Sequence, residues 1–451
     1  MRKVWRAPTA LLIATALVAA SCSEETGTGD GGGSGGTLDT EEARLTEGGS
    51  WEAPGIEVSA DDLECGLEAE DPERGVTEDS VRVGGLLTES GPTTALYTDA
   101  EAGARARFER ANAEGGVHGR TIEFIGAEDD GMESSRQVDA ARRLVDDEVF
   151  AVVPLLSAIP AWQETLCEAV MPTFGWAFTA AWCNTTVAFG ITGCLVNPDP
   201  QYNSIAIGAL VEALEGTDNT LALIGNEDEA AQIGLEKTAE ALERYGVEVT
   251  YSENILSPTQ PIADTSPVVN DITTSNDGGP PAAVYLITDF ANTSALTQAL
   301  VASGYQGNLV NAVGYDPRLA DFEGFDGSLI NLQWAPFEAT DVEFVQQMNE
   351  DFDEYAPDAS RGLPAAAGYI AADMFLAGLE ETGPDLTVDS FLETLNDDWV
   401  YATPDFRGDV RYPLNHVISS PCTNLVELSD GEYSAATPIV CSQPFVRDEG
   451  S

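Results

Sequence analysis

The chain has 451 residues, with 20 Lys and Arg against 77 Asp and Glu, a formal net charge of −57 and a sequence pI of about 4.1. Such a surface repels phosphate, which excludes nucleic acid or an anionic membrane face as a partner held by bulk charge. Apolar residues make up 43% of the chain and aromatic residues 8%, enough for real cores, so a wholly disordered acidic protein is excluded as well; the length suits about two or three lobes of roughly 150 residues.

Met1 to Ser21 has the pattern of an export signal, with Arg2, Lys3 and Arg6 ahead of an apolar run, Ala10 to Ala20, that ends in small residues. The run is too short to span a bilayer, which takes about 20 apolar residues, and no later stretch is long enough. Ala19-Ala20-Ser21-Cys22 resembles the processing box of bacterial lipoproteins, with Ala19 where that box prefers Leu. The resemblance implies cleavage before Cys22, a lipid on its thiol, and a protein held at the outer face of the cytoplasmic membrane through that lipid only. Residues 22–60, rich in Gly, Ser, Thr and acids, read as a flexible tether. In an exported chain the six other cysteines, Cys65, Cys167, Cys183, Cys194, Cys422 and Cys441, read as disulfides. Fifteen connectivities are possible; nearest neighbours favour Cys183 with Cys194 and Cys422 with Cys441, leaving Cys65 for Cys167. No CxxC spacing occurs, so a structural role outweighs a metal or redox one.

From Val81 the chain alternates short β-branched runs with helical patterns. Strands are predicted at Val81 to Leu87, Thr121 to Ala127, Phe150 to Leu156 and Met171 to Trp176, and helices at Asp99 to Glu114, Ser134 to Asp147 and Pro160 to Val170. The rhythm restarts with a predicted helix at Gln201 to Leu214, a strand at Thr220 to Gly225, a helix at Glu229 to Tyr245 and a strand at Val247 to Tyr251. Ala282 to Thr288, Leu309 to Val313 and Ser328 to Trp334 follow as strands with Asn292 to Ser303 helical, and then helices at Asp341 to Tyr355, Pro364 to Glu381 and Val388 to Leu395. Two sets of βαβ units imply an α/β fold of two lobes, each a doubly wound, mostly parallel sheet with helices on both faces. Ligands of such sheets bind beyond the carboxyl ends of the strands.

Ala111-Asn112-Ala113-Glu114-Gly115-Gly116-Val117-His118-Gly119-Arg120 resembles the helix-to-strand turn of type I periplasmic binding proteins of the branched-chain amino acid uptake, leucine-binding class. The likeness continues through Asp129-Asp130, the Gln137 to Val145 helix, Asp147 to Ser157, Ser303-Gly304-Tyr305, Ala366 to Asp373 and Phe406 to Val410, and so covers about Val81 to Ser434. Gly115 and Gly116 suit a left-handed helix end and Gly119 a tight turn, so this block is architectural, and His118 within it is a solvated loop residue.

The resemblance implies a non-enzymatic, monomeric receptor without cofactor or metal, which closes two lobes around a small solute and delivers it to a membrane ABC permease and its ATPase. It implies three crossover strands, near Asn197 to Gln201, Trp334 to Thr340 and Asn396 to Pro404. Residues 61–200 with 341–396 would then form the N-lobe, and 201–335 with 404–446 the C-lobe. Carried onto the strand ends, the family's ligand loops place Ser90, Ser157, Ala158, Trp176 and Phe178 in the first lobe and Asn226, Asp228, Asp289 and Tyr315 in the second. Amino-acid binders carry a Ser/Thr-rich loop after the third strand; here Ser157 stands alone, and Trp176 and Phe178 add aromatic bulk. That departure points to a larger or more apolar solute, since ligand pockets are mostly apolar with a few oriented polar groups.

An exported hydrolase is the main competitor from another class. A Ser-His-Asp enzyme needs a histidine base, yet the only histidines are His118 and His416; the Gly-x-Ser-x-Gly at Gly32 to Gly36 lies in the Gly-rich tether and not at a predicted strand-to-helix elbow, and no metal cluster or phosphate loop is read from the sequence. A lipid-anchored sensor for a membrane signalling partner would share the fold, and sequence does not separate it from a transport receptor.

Overall fold

The computed structural model describes residues 44–91, 97–197, 201–257, 260–317, 320 and 325–447. The export signal, Cys22 and the tether up to residue 43 lie outside the described residues. Two sheets organise the rest. The first runs, in spatial order, Thr121–Asp129, Ser80–Leu87, Ala151–Leu156, Thr173–Gly175 and Ala188–Gly190, every neighbour parallel. Alternation along its strands sends side chains to two cores. Val83, Leu87 and Val153 pack with Phe108, Phe375 and Phe391, whereas Leu86, Val152 and Leu155 pack with Ala140, Leu144 and Leu166. These partners lie on the helices Ala100–Ala113, Leu363–Thr382 and Val388–Leu395 on one face and Ser134–Asp146 and Gln163–Glu168 on the other, so period 2 in the strands produces helical cover on both sides.

The second sheet repeats this plan. Ser328–Leu332, Asn308–Asn311, Ala283–Ile287, Thr220–Asn226 and Glu248–Leu256 are parallel neighbours in that order. Leu221 and Leu223 face Leu210, Leu235 and Leu242, while Ala222 and Ile224 face Ile272, Leu296 and Leu300. Cys422–Ser429 then adds antiparallel to Ser328–Leu332 and continues into Glu432–Ala435 and Val440–Cys441. This antiparallel edge and the Ser266–Thr273 helix were not legible as elements beforehand. The predicted Gln201 to Leu214 helix begins only at Gly208. Its first part pairs as a short strand, Tyr202–Asn203 with Phe445–Val446, and Asn203 Nδ2 donates to the carbonyl of Lys237 at 2.8 Å.

Three passages join the sheets among the described residues. The first leaves Ala188–Gly190, the second follows Ser328–Leu332 toward the Glu343–Tyr355 helix, and the third precedes Cys422–Ser429. The third runs later than the expected Asn396 to Pro404. Trp399–Tyr401 pairs instead with Val410–Tyr412, Tyr412 Oη donates to the Gly190 carbonyl at 2.7 Å, and His416 lies against Ala188, which keeps residues 404–416 with the first lobe. The change of lobe falls at Ser419, whose N–H donates to Ser204 Oγ at 2.8 Å. The third passage is laced to the first, Ser420 N–H donating to the Thr192 carbonyl at 2.8 Å, and the second is tied to the first lobe, Ala335 N–H donating to the Phe406 carbonyl at 2.7 Å. Arg407, 1% exposed, donates from Nη2 to the Ile191 carbonyl and lies over the Tyr401 ring.

Part of the expected tether is docked. Thr46–Glu47 pairs with Val440–Cys441, and Trp51 is 4% exposed, its Nε1 donating to the Asp409 carbonyl at 2.8 Å with Arg411 over its ring. Flexibility read from composition over residues 44–60 is overturned here by one buried indole and Ile56, which supply the apolar area that the surrounding polar residues lack. The disulfides are Cys65–Cys167, Cys183–Cys194 and Cys422–Cys441. In the glycine block, Gly115, Gly116 and Gly119 all have positive φ, and a Cβ on Gly116 would overlap the Arg120 carbonyl, so the turn needs these residues for its shape. No described helix is long and apolar enough to cross a membrane.

Candidate ligand-binding site

A cavity of about 530 Å³ lies where the strand ends of the two lobes face each other. Ala158 and Trp176 reach it from the ends of Ala151–Leu156 and Thr173–Gly175, and Asn226, Thr288 and Val313 from the ends of the second sheet's strands. Leu195 and Val196 of the first passage, Gln333 of the second and Thr423 just after the third complete its wall. The wall therefore draws on both lobes and on the passages between them.

Six of the nine expected residues line this cavity: Ala158, Trp176, Phe178, Asn226, Asp228 and Asp289. Trp176 is mostly but not fully buried, its Nε1 donating to Gln333 Oε1 at 3.0 Å, with its ring 5.2 Å from Phe178 and 5.4 Å from Trp334. Asn226 Oδ1 accepts from Thr288 Oγ1 at 2.6 Å. Asp228 and Asp289 are helix N-caps: Asp228 Oδ1 accepts from Ala231 N–H at 3.0 Å, and Asp289 Oδ1 from Ala291 N–H at 2.9 Å and Asn292 N–H at 3.1 Å. Asp289 is also held through Oδ2 by Asn292 Nδ2 at 2.6 Å. Both carboxylates therefore have a local reason to stand where they do, satisfying N–H groups that a helix start leaves open.

Ser90, Ser157 and Tyr315 are not on the wall. Ser90 Oγ donates outward to Asp129 Oδ2 at 2.6 Å. Ser157 is fully buried; its hydroxyl donates to Asp130 Oδ2 and accepts from Gln137 Nε2 at 2.7 Å. Tyr315, 1% exposed, donates to Glu338 Oε2 at 2.6 Å and accepts from Phe337 N–H at 2.8 Å, and burial beside Glu338 pushes its phenol well up. Strand-end position alone does not tell which way a side chain turns, and all three bond to partners within this chain. Sequence reasoning missed Tyr97, Leu195, Val196, Ile205 and Tyr285, which also line the cavity. The passage residues among these lie just before the expected first crossover, whereas Tyr285 sits mid-strand and carried no signal. Burial pushes both Tyr97 and Tyr285 up, so they present phenols and not phenolates.

A smaller cavity of about 340 Å³ lies on the first lobe, between the Glu343–Tyr355 and Leu363–Thr382 helices and Trp399–Tyr401. Two of its charged groups are paired within the protein, Asp373 with Arg107 at 2.6 Å and Arg110 with Asp351 at 3.5 Å, and it lies away from the strand ends. The larger cavity is the better candidate by position.

The sequence pattern of the periplasmic binding proteins matches residues 80–432. No curated protein matches the chain. Solved structures share the fold at low identity. One is a fatty acid ABC transporter substrate-binding protein from Thermomonospora curvata, at 18% identity and TM-score 0.65 over 85% of this chain and 96% of that one. Another is the branched-chain amino acid transporter substrate binding protein LivJ from Streptococcus pneumoniae in complex with isoleucine, at 14% and 0.62 over 81% and 100%. A third is an ABC transporter solute binding protein from R. palustris in complex with benzoate, at 17% and 0.61 over 82% and 98%. With more than half of its length matched, the chain belongs to the periplasmic binding protein family.

Proposed function

We propose that this protein is the extracytoplasmic receptor of an ABC uptake system, a monomer that captures a small organic solute between its lobes and delivers it to the membrane permease without catalysing a reaction. The cavity carries this reading: its wall combines strand ends from both sheets with residues of the passages between them. A solute there contacts both lobes at once, so it stabilises the closed arrangement over the open one by its differential contacts. Solved relatives described as transporter substrate-binding proteins support the same reading. A lipid on Cys22 would hold the receptor near its permease while the body searches solution.

The test has two arms. A thermal-shift panel of amino acids, amides, polyamines, aromatic acids and amines should give a selective rise in melting temperature, because a ligand that binds only the native state stabilises it by mass action. Ligand-dependent compaction in small-angle scattering should accompany it, and a panel without either response counts against the receptor reading. Cys22→Ser should move the protein from the membrane to the soluble fraction; unchanged fractionation removes the lipid anchor.

A further inference from the structure

The charge pattern around the cavity narrows the solute, given the receptor reading. Among the described residues no Lys, Arg or His lines it, and its only charged groups are Asp228 and Asp289. Asp289 is engaged through both oxygens. Asp228 uses Oδ1 for its cap, and among the described residues Oδ2 has no protein donor.

The opposite wall is also set against an anion. Two hydroxyls just behind the first-lobe wall, Thr88 and Ser157, are fully buried and donate to Asp130, a residue of this chain, which leaves Thr179 as the first-lobe hydroxyl on the wall without a partner among the described residues. Gln137 Nε2 and the Met132 N–H donate to the same carboxylate at 2.7 and 2.9 Å. Asp130 is itself 0% exposed, and no arginine or lysine pairs with it among the described residues. Its charge is felt at the cavity, where it helps to push the Tyr97 phenol up. An internal carboxylate thus takes four donors behind the first-lobe wall, the unpartnered lining hydroxyls Thr179 and Thr423 are neutral, and two more carboxylates stand on the cavity's second-lobe side. In a mostly apolar cleft a further negative charge is repelled and a positive one is attracted.

We propose that the solute is an apolar organic amine, its ring or chain packed on Trp176 and Phe178 and its protonated nitrogen paired with Asp228 Oδ2. The Asp228 carboxylate also offsets the positive end of the helix it caps, where Oδ1 already takes the Ala231 N–H.

Calorimetry on the purified full chain with 4-phenylbutylamine, 4-phenylbutanol, 4-phenylbutanoate and L-leucine tests the proposal. It is run at about 0.3 M salt, where attraction of any amine to the acidic surface is screened within a few ångströms. The amine should bind at least tenfold tighter than the isosteric acid. Asp228→Asn, which keeps a good cap, should abolish most of that preference and leave the alcohol's affinity within about twofold. Tighter or equal binding of the acid or of L-leucine overturns the amine class while leaving the receptor reading intact. An amine preference that survives Asp228→Asn overturns the pairing. Binding by none of the four overturns the amine class, and the wider thermal-shift panel then decides whether the receptor reading falls with it.

Discussion

Replacing Trp176 with Ala removes the part of the wall that joins the end of the first sheet to the second passage. An indole buries about 150–250 Å² when fully packed; Trp176 is mostly but not fully buried here and leaves at most roughly 80 Å² for a solute to cover. At about 25 cal/mol per Å² that is at most ~2 kcal/mol of binding, in the range of aromatic hot spots, and about 25-fold in Kd at 1.4 kcal/mol per tenfold. The variant also loses the 3.0 Å bond to Gln333, worth roughly 1 kcal/mol net, and its ring contacts with Phe178 and Trp334, so stability should fall as well. Calorimetry against the tightest ligand of the panel gives the first quantity, and urea denaturation without ligand the second. Trp176→Phe should recover most of the affinity while still lacking the Gln333 bond. Unchanged affinity in a folded Trp176→Ala protein would refute the argument and place this ring in the scaffold of the hinge instead of the site.

Two further outcomes follow from the packing. The helices Ala100–Ala113 and Leu363–Thr382 touch backbone to backbone through glycines, and a Cβ on Gly368 would overlap the Ala100 carbonyl; Gly368→Ala should cost about 2–3 kcal/mol in urea unfolding, and a loss under ~0.5 kcal/mol would show that the helices can part. His416 is fully buried, with Nδ1 3.1 Å from the Ala188 carbonyl and Nε2 2.8 Å from Asn396 Oδ1. Two facing oxygens favour the imidazolium, but no carboxylate pairs with the ring among the described residues, and burial pushes it down to about 3. The unfolded chain then takes up the proton below its ordinary pKa of about 6.5 while the folded one does not, so this contribution is complete above that pH and is lost as pH falls from 6.5 toward 3, by up to ~1.4 kcal/mol per unit. The stability of the unaltered protein should therefore fall between pH 6 and 4 more steeply than that of His416→Gln; equal slopes, or a shallower one, would mean that the ring is held charged.

The lobes were legible because their signals are local. A strand buried on both faces must be apolar along its whole length, as Ala151–Leu156 is, and helices between such runs carry their own periodicity. The glycine turn was legible because side chains resist the backbone that Gly116 adopts. Short sequence separation, 11 and 19 residues, marked two of the disulfides and left the third by remainder.

What failed depended on partners distant in sequence. Residues 44–60 look like linker until Trp51 meets Asp409 and Arg411, more than 350 positions away. Ser157 looks like a ligand hydroxyl until Asp130 takes it.

The sequence by itself determined the two α/β lobes, the turns that glycine alone permits, the redox state of the cysteines and the strand ends at which a ligand would be met, because each is dictated by chemistry within a few residues or by composition. Only the tertiary structure decided which strand-end side chains face the cavity, where the chain changes lobe for the third time, and that the cavity holds carboxylates with no cation among its described lining. Those outcomes depend on rotamers and long-range hydrogen bonds, which a buried donor or acceptor settles with whatever partner the fold brings to it.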